Sequence, residues 1–258
     1  MFQTSVLASG SKGNAILVRS KDTSIIVDAG ISMKRIYEAL QALKVPKESI
    51  RAIIISHEHS DHTRGAGALS RSLKIPVLVT PDTYAYCSHK LGALYERLIY
   101  FEQGSSFEVG DILVHPFSSS HDAIDSSNFC FEHDDKKLGL AIDLGYPSRL
   151  TIHKLSGAST LILESNHDLT MLMEGPYDWA LKMRVKSDTG HLSNDQAVGL
   201  LSQILHPGLQ TIILAHLSET NNHPQLAFKL MQEYLDSIRS DIRLFVAAQD
   251  NHTPLIEV

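Results

Sequence analysis

Short apolar runs recur along the chain at 4–8, 15–19, 24–28, 51–56, 75–79, 111–117, 127–132, 137–143, 159–164, 210–216 and 242–247. Runs of this length, broken by turn-forming residues, are the pattern of buried strands. Stretches with an apolar residue every three or four positions interrupt them and predict helices. Ser32 can cap a helix whose Met33, Ile36, Tyr37, Leu40 and Leu43 share one face. Residues 64–73 and 82–98 read as further helices. Ser193-Asn194-Asp195-Gln196 is a capping box opening a helix that runs to about Leu205. Pro224 stands in the first turn of the last long helix, with Leu226, Leu230, Tyr234 and Ile238 as its expected inward face. Strand pairs joined by short turns predict antiparallel edges rather than a purely alternating βα order. Two sheets packed face to face, with helices outside, accommodate this many strands better than one open sheet. The expected class is α/β.

A chain of 258 residues can bury a substantial core without covalent staples. Two cysteines, Cys87 and Cys130, exclude a disulfide framework and point to a reducing cytoplasm. Residues 1–7 show no basic segment followed by a long apolar one, and no run approaches the roughly 18 apolar residues of a membrane span. The expectation is a cytoplasmic protein without membrane contact; oligomeric state is open, a homodimer included. A net charge of -6 disfavours a broad polyanion-binding surface but leaves room for a local one. Lys182, Arg184 and Lys186 alternate in one stretch, and Lys12, Lys34, Arg35 and Arg64 lie near loops of interest.

The densest chemistry is His57-Glu58-His59-Ser60-Asp61-His62, directly after the run Ala52–Ile55. Three imidazoles and a carboxylate at a strand end are good ligands for a divalent metal. His57 and His59 are two apart, so in an extended loop they point the same way. Asp61 and His62 come after the chain turns and can face a second ion. Further ligands are available where other apolar runs end: His121, Asp143 and His216. His115 competes with His121 but lies mid-strand.

In that order, His57–His62, His121, Asp143 and His216 resemble the motifs of the metallo-β-lactamase-fold hydrolases, over nearly the whole chain. The resemblance implies a four-layer αβ/βα sandwich with a dinuclear metal site between the sheets. It assigns His57, His59 and His121 to one ion and Asp61, His62 and His216 to the other, with Asp143 bridging. Zinc suits this histidine-rich set; manganese or iron also fits, because no thiolate selects against them. A hydroxide held between two such ions is a nucleophile at neutral pH.

Spacing narrows the family. No signal peptide is recognised and the fourth motif is Asp143, which argues against a secreted β-lactamase. The 72 residues between Asp143 and His216 are too few for a β-CASP insertion. The 21 between His121 and Asp143 leave no room for a tRNA-clamping arm of RNase Z type. One domain, 1–258, is expected. The stretches Leu7–Asn14, Glu164–Asp168, Gly190–Asn194 and Leu214–Asn222 together resemble the YycJ (WalJ) subfamily, which implies 5′→3′ exonuclease action on DNA and a role in mismatch repair. The expected function is a metal-dependent phosphodiesterase on nucleic acid. A thioester or lactone hydrolase of glyoxalase II type and an RNA-processing nuclease similar to RNase Z are the alternatives. Asp61 and His191 are the catalytic candidates; His191 resembles the RNase Z histidine that protonates a leaving oxygen. Ser9, Ser11, Lys12 and Asn14, in a small Gly-containing turn, are candidate substrate contacts. Ser193 and Asn194, at a helix N-terminus, are the others. Ser193 reads first as the helix cap. His167 follows Glu164 in a strand-end motif and has no assigned role.

Overall fold

In the computed structural model, which describes residues 1–258, the apolar runs form two seven-stranded sheets. The first is ordered β14 (Ile256–Glu257), β1 (Phe2–Ala8), β2 (Ala15–Ser20), β3 (Ser24–Val27), β4 (Ile50–Ile54), β5 (Val77–Val79), β6 (Leu98–Tyr100). The second is ordered β13 (Arg243–Val246), β12 (Thr211–Ala215), β11 (Thr160–Glu164), β10 (Lys136–Ala141), β9 (Ser127–His133), β8 (Ile112–Ser118), β7 (Phe107–Val109). Each sheet is antiparallel at one end and parallel at the other, as the short strand-to-strand turns predict.

Period-two alternation divides the side chains between layers. Ile162 of β11 and Ile213 of β12 join Val6, Ile16, Ile25, Phe129 and Phe131 in the core between the sheets. Their neighbours Leu161, Leu163, Ile212 and Leu214 face outward and pack beneath α5 (Arg149–Leu155), α8 (Asn194–Ile204) and α9 (Pro224–Ser237). Leu17, Ile26 and Ile53 do the same on the other sheet, under α1 (Met33–Ala42), α3 (Ala66–Leu73) and α4 (Pro81–Leu91). The result is the four-layer α/β sandwich. Ser32, Ser193 and Pro224 open their helices as expected; Ser193 and Gln196 form both bonds of the capping box. No helix is long and apolar enough to cross a membrane.

Several expectations need correction. The helix read over 82–98 ends at Leu91. Gly92 takes φ +68, and a 3-10 turn then leads into β6. The helix read over 64–73 is α3, starting two residues later; a separate short helix, α2 (Ser60–Thr63), precedes it, and the two are broken at Gly65, where a Cβ would lie 2.1 Å from the Ile31 carbonyl oxygen. The inward face of α9 is Ala227, Met231 and Leu235; Leu226 and Ile238 are exposed. Strands β6, β7 and β14 and helices α5, α6 (Leu169–Glu174) and α7 (Trp179–Lys186) were not anticipated.

The corrected face of α9 has a direct test. Met231→Ala should lower the unfolding free energy by about 2–5 kcal/mol. Leu226→Ala should stay within about 0.5 kcal/mol of the parent. Urea denaturation of both variants checks this, and a larger loss at Leu226 would restore the rejected face.

Candidate metal centre

The parallel strands β3, β4, β10, β11 and β12 end at one rim of the sandwich, and the residues that follow them carry the polar chemistry. β4 runs through Ile55 and Ser56 into His57; His59 is the N-cap of α2, and Asp61 and His62 lie inside that helix. The turn after His59 therefore separates the pair His57/His59 from the pair Asp61/His62. The position of Asp61 is held from behind: its carbonyl accepts the Asn14 N–H at 2.7 Å. Gly30 passes so close that a Cβ there would sit 1.5 Å from the same oxygen, so only glycine fits.

All seven candidate ligands converge. His57, His59 and His121 present one donor atom each within 4.8 Å of one another, and so do Asp61, His62 and His216. Asp143 joins His57 and His62 in a third such group, and joins His216, Glu164 and His191 in a fourth. His115 is elsewhere, 3.3 Å from Glu132.

Four of the five candidate imidazoles are oriented through Nδ1; His59 instead turns its Nδ1 inward, 3.0 Å from His57 Nε2. His57 meets the Ser56 hydroxyl at 2.9 Å, His62 meets Asp28 at 2.8 Å, His216 meets Glu164 at 2.8 Å, and His121 meets the Gly190 carbonyl at 3.3 Å. A ring that donates from Nδ1 presents a lone pair at Nε2, the arrangement of metal-bound histidine. His121 Nε2 and His216 Nε2 are buried and make no hydrogen bond, and Asp143 Oδ2 is buried with only the His62 Nε2 atom against it, at 3.0 Å. Orphaned atoms of this kind are costly, and a divalent ion satisfies all three. The donor set and its unpartnered atoms thus fit divalent metal ions.

Two buried carboxylates had no role assigned from sequence: Asp28, which was missed, and Glu164, which was noted only as opening a strand-end motif. Asp28 follows β3, is fully buried, and accepts from His62 and from the backbone and hydroxyl of Ser56. Glu164 ends β11 and accepts from His191 Nδ1 and His216 Nδ1, both at 2.8 Å, and from the N–H groups of Leu144 and Leu192, both at 3.0 Å. Each is a polar residue ending an apolar run, the signal that singled out Asp143. Burial works against the Glu164 charge, yet His191 and His216 hold its pKa down to about 2. Burial likewise opposes charge on His216, but Asp143 and Glu164 outweigh it and raise its pKa to about 9. Burial is outweighed at His62 too, where Asp28 and Asp143 push the pKa well up. At His57 burial prevails, with His62 adding to it, and the pKa is well below the usual value. Asp143 is buried but held well below the usual carboxylate range by His216, His62 and His121.

The six candidate substrate contacts divide. Ser9, Asn14, Ser193 and Asn194 are buried. The Ser9 hydroxyl accepts the His216 N–H at 2.7 Å, and Asn14 exchanges bonds with Gly10 and lies 3.1 Å from His62 Nε2. Ser193 caps α8, while Asn194 bonds Ser165 and Asn222. Ser11 and Lys12 lie on the surface, Lys12 paired with Glu219 at 2.6 Å. His191 is half-buried; Nδ1 is taken by Glu164, and Nε2 is neither bonded nor buried. His167 is buried with both ring nitrogens unpartnered, and burial lowers its pKa to about 4.

Comparison with known proteins adds four findings. The Metallo-beta-lactamase superfamily profile matches residues 8–216. The chain is 35% identical to the exodeoxyribonuclease YycJ of Bacillus anthracis, covering 90% of this chain and 88% of that protein. It is 34% identical to the exodeoxyribonuclease WalJ of Streptococcus pneumoniae, covering 100% and 98%. Among solved structures, the metallo-beta-lactamase fold protein YhfI from Bacillus subtilis superposes with a TM-score of 0.73 at 17% identity, over 98% of this chain and 99% of that one. The last is a likeness of fold alone.

Metal uptake should release protons. Burial is outweighed at His62 and His216, so both hold a proton past neutrality, His216 to about 9. A ligating imidazole must give that proton up. Metal affinity is therefore expected to rise with pH from neutrality toward 9, with net proton release in calorimetry across buffers of different ionisation enthalpy. Proton-neutral uptake would contradict this. The metal-free chain offers a second check. The Glu164 pKa is about 2 against an ordinary 4.5. Its charge thus stabilises the fold fully above 4.5, and that stability is lost as pH falls toward 2. Glu164→Gln should flatten the acid limb of the stability profile, read by denaturant titration between pH 7 and pH 3.

Proposed function

This chain belongs to the metallo-β-lactamase superfamily, and on that premise we propose that it is a divalent-metal-dependent phosphodiesterase that shortens DNA, a 5′→3′ exodeoxyribonuclease of mismatch-repair type working in the cytoplasm as one domain. The observation that carries the reading is the pairing of a converged histidine–carboxylate set with a carboxylate-backed histidine, His191, at its open edge. The names of the two curated relatives support DNA as the substrate, since the likeness spans nearly the full length of both.

In this reading His57, His59 and His121 would hold one ion and Asp61, His62 and His216 a second, with Asp143 a ligand shared by both. Zinc is the first candidate, then manganese or iron. When bound, the ions generate a nucleophile at neutral pH by lowering the pKa of water, and they stabilise charge developing on the phosphoryl oxygens. The chain does the rest. Asp61, with 24% of its side chain exposed, is the ligand carboxylate most open to the cleft and accepts the proton of the attacking water. Glu164 fixes the His191 ring through Nδ1. Nε2 is then left to donate a proton to the departing 3′ oxygen. Ser11 and Lys12 meet the substrate backbone from the surface. Ser9, Asn14, Ser193 and Asn194 hold the loops that face it.

Purified chain supplied with zinc or manganese should shorten end-labelled DNA. His59→Ala should abolish turnover while circular dichroism stays unchanged. His191→Ala should lower kcat by about 10²–10⁴ with little change in KM. If DNA, RNA and simple phosphodiesters all stay intact while a glutathione thioester is hydrolysed, the thioesterase alternative takes its place.

A further inference from the structure

Helix α7 is a helix without a core: none of its eight residues is buried. Its sequence, Trp179-Ala180-Leu181-Lys182-Met183-Arg184-Val185-Lys186, carries three basic residues and no acidic one. The Asp178 carboxylate before it is engaged in capping, accepting from the Leu181 N–H at 2.8 Å. Trp179 is the only tryptophan in the chain, and it is 66% exposed. Lys182 donates to the Met173 carbonyl at 2.8 Å, so no carboxylate neutralises it, and Lys186 is exposed.

The helix is tied to the rim of the site. Arg184 pairs with Asp122, whose other oxygen lies 3.5 Å from His121 Nε2. The Val185 carbonyl accepts the His191 N–H at 2.9 Å. Trp179 lies five residues, about 7.5 Å along the axis, beyond Arg184. A second exposed aromatic, Tyr146, follows Asp143 by three residues. Its neighbour Gly145 packs so tightly on the turn after α7 that a Cβ would lie 2.5 Å from the Asp188 backbone and from the Gly190 nitrogen.

An exposed indole beside cations that no carboxylate pairs is the chemistry of a single-strand platform. A base can stack on the ring while ammonium groups take the phosphates, and every base has a π-face to offer. A duplex keeps its interior bases stacked and offers such a face only at its ends. The net charge of -6 makes a broad polyanion surface unfavourable, so a strand must be caught locally, and α7 is a basic segment beside the site. We propose that α7 docks a single-stranded segment of the nucleic-acid substrate, with a base on Trp179 and phosphates on Lys182 and Lys186. This rests on the nuclease reading above and names the form of substrate that site receives.

The single tryptophan makes the test site-specific. A single-stranded oligodeoxynucleotide with hydrolysis-resistant phosphorothioate linkages should quench the intrinsic fluorescence saturably. Trp179→Ala should weaken its binding, read by anisotropy of a labelled oligonucleotide, about tenfold, and Trp179→Phe should recover most of it. Lys186→Ala should weaken binding regardless of sequence and lower the salt slope by about 1. Binding by Trp179→Ala at parent affinity, or an unquenched parent that still binds the strand, overturns the proposal. So does a parent dimer that Trp179→Ala dissociates without loss of DNA binding, which would make α7 a self-association surface. DNA turnover by the parent without any Trp179 effect overturns this inference alone. Failure to hydrolyse any nucleic acid removes the nuclease reading itself.

Discussion

Glu164 carries its carboxylate to a place with no access to solvent, and four donors meet it there: two imidazole Nδ1 atoms and the N–H groups of Leu144 and Leu192. A buried carboxylate is tolerated only when its lone pairs are met, and losing one partner leaves a charge uncompensated. That demand sets geometry. The Leu144 bond fixes the backbone next to Asp143, the His216 bond fixes the ring that follows β12, and the His191 and Leu192 bonds fix the loop that opens α8. Elements far apart in sequence are held together by one group.

The first sheet repeats the device. Asp28, after β3, orients His62 as Glu164, after β11, orients His216. Each sheet thus brings its own carboxylate to a histidine that follows the neighbouring strand. The backbone is bent to do so: Asp28, Asp143 and His216 take φ of 56, 52 and 56, in the left-handed region. Strain of this kind costs on the order of 1–3 kcal/mol per residue and persists only where the surroundings enforce it. Here the surroundings are parallel strands buried on both faces, which cannot shift register without exposing a whole row of side chains.

The layers and the seven converging residues were legible because both depend on short-range pattern. Apolar alternation marks a strand, and a polar residue at its end marks the rim. Asp28 carried that same signal, at the end of Ser24–Val27, and was passed over because a lone carboxylate without a nearby histidine does not stand out. β6, β7 and β14 span two or three residues, too few to establish a period. The face of α9 was misplaced because its large apolar residues, Leu226 and Ile238, lie partly in solvent while Ala227 and Met231 fill the core. Size is a poor guide where helix and sheet approach closely. Helix α7 was invisible for a different reason. Its apolar and basic residues alternate, so no stripe exists at helical spacing, and no stripe is needed because the helix buries nothing.

The two ends of the site therefore obey opposite economies of order. The Glu164 carboxylate is fully met, and three of the buried atoms left without a partner, His121 Nε2, His216 Nε2 and Asp143 Oδ2, belong to residues that converge on the cleft. Their cost, about 1–3 kcal/mol each when unpaired, is offset only by what binds there, so occupancy and folding stability are coupled. α7 owes the core nothing. A segment with few buried contacts opens at low free energy. Its position is fixed instead through Arg184 and Asp122 to the neighbourhood of His121, and through Val185 to His191. A rigid centre and a lightly held rim are what a site needs when the group it acts on must be placed precisely and the chain attached to that group must slide past.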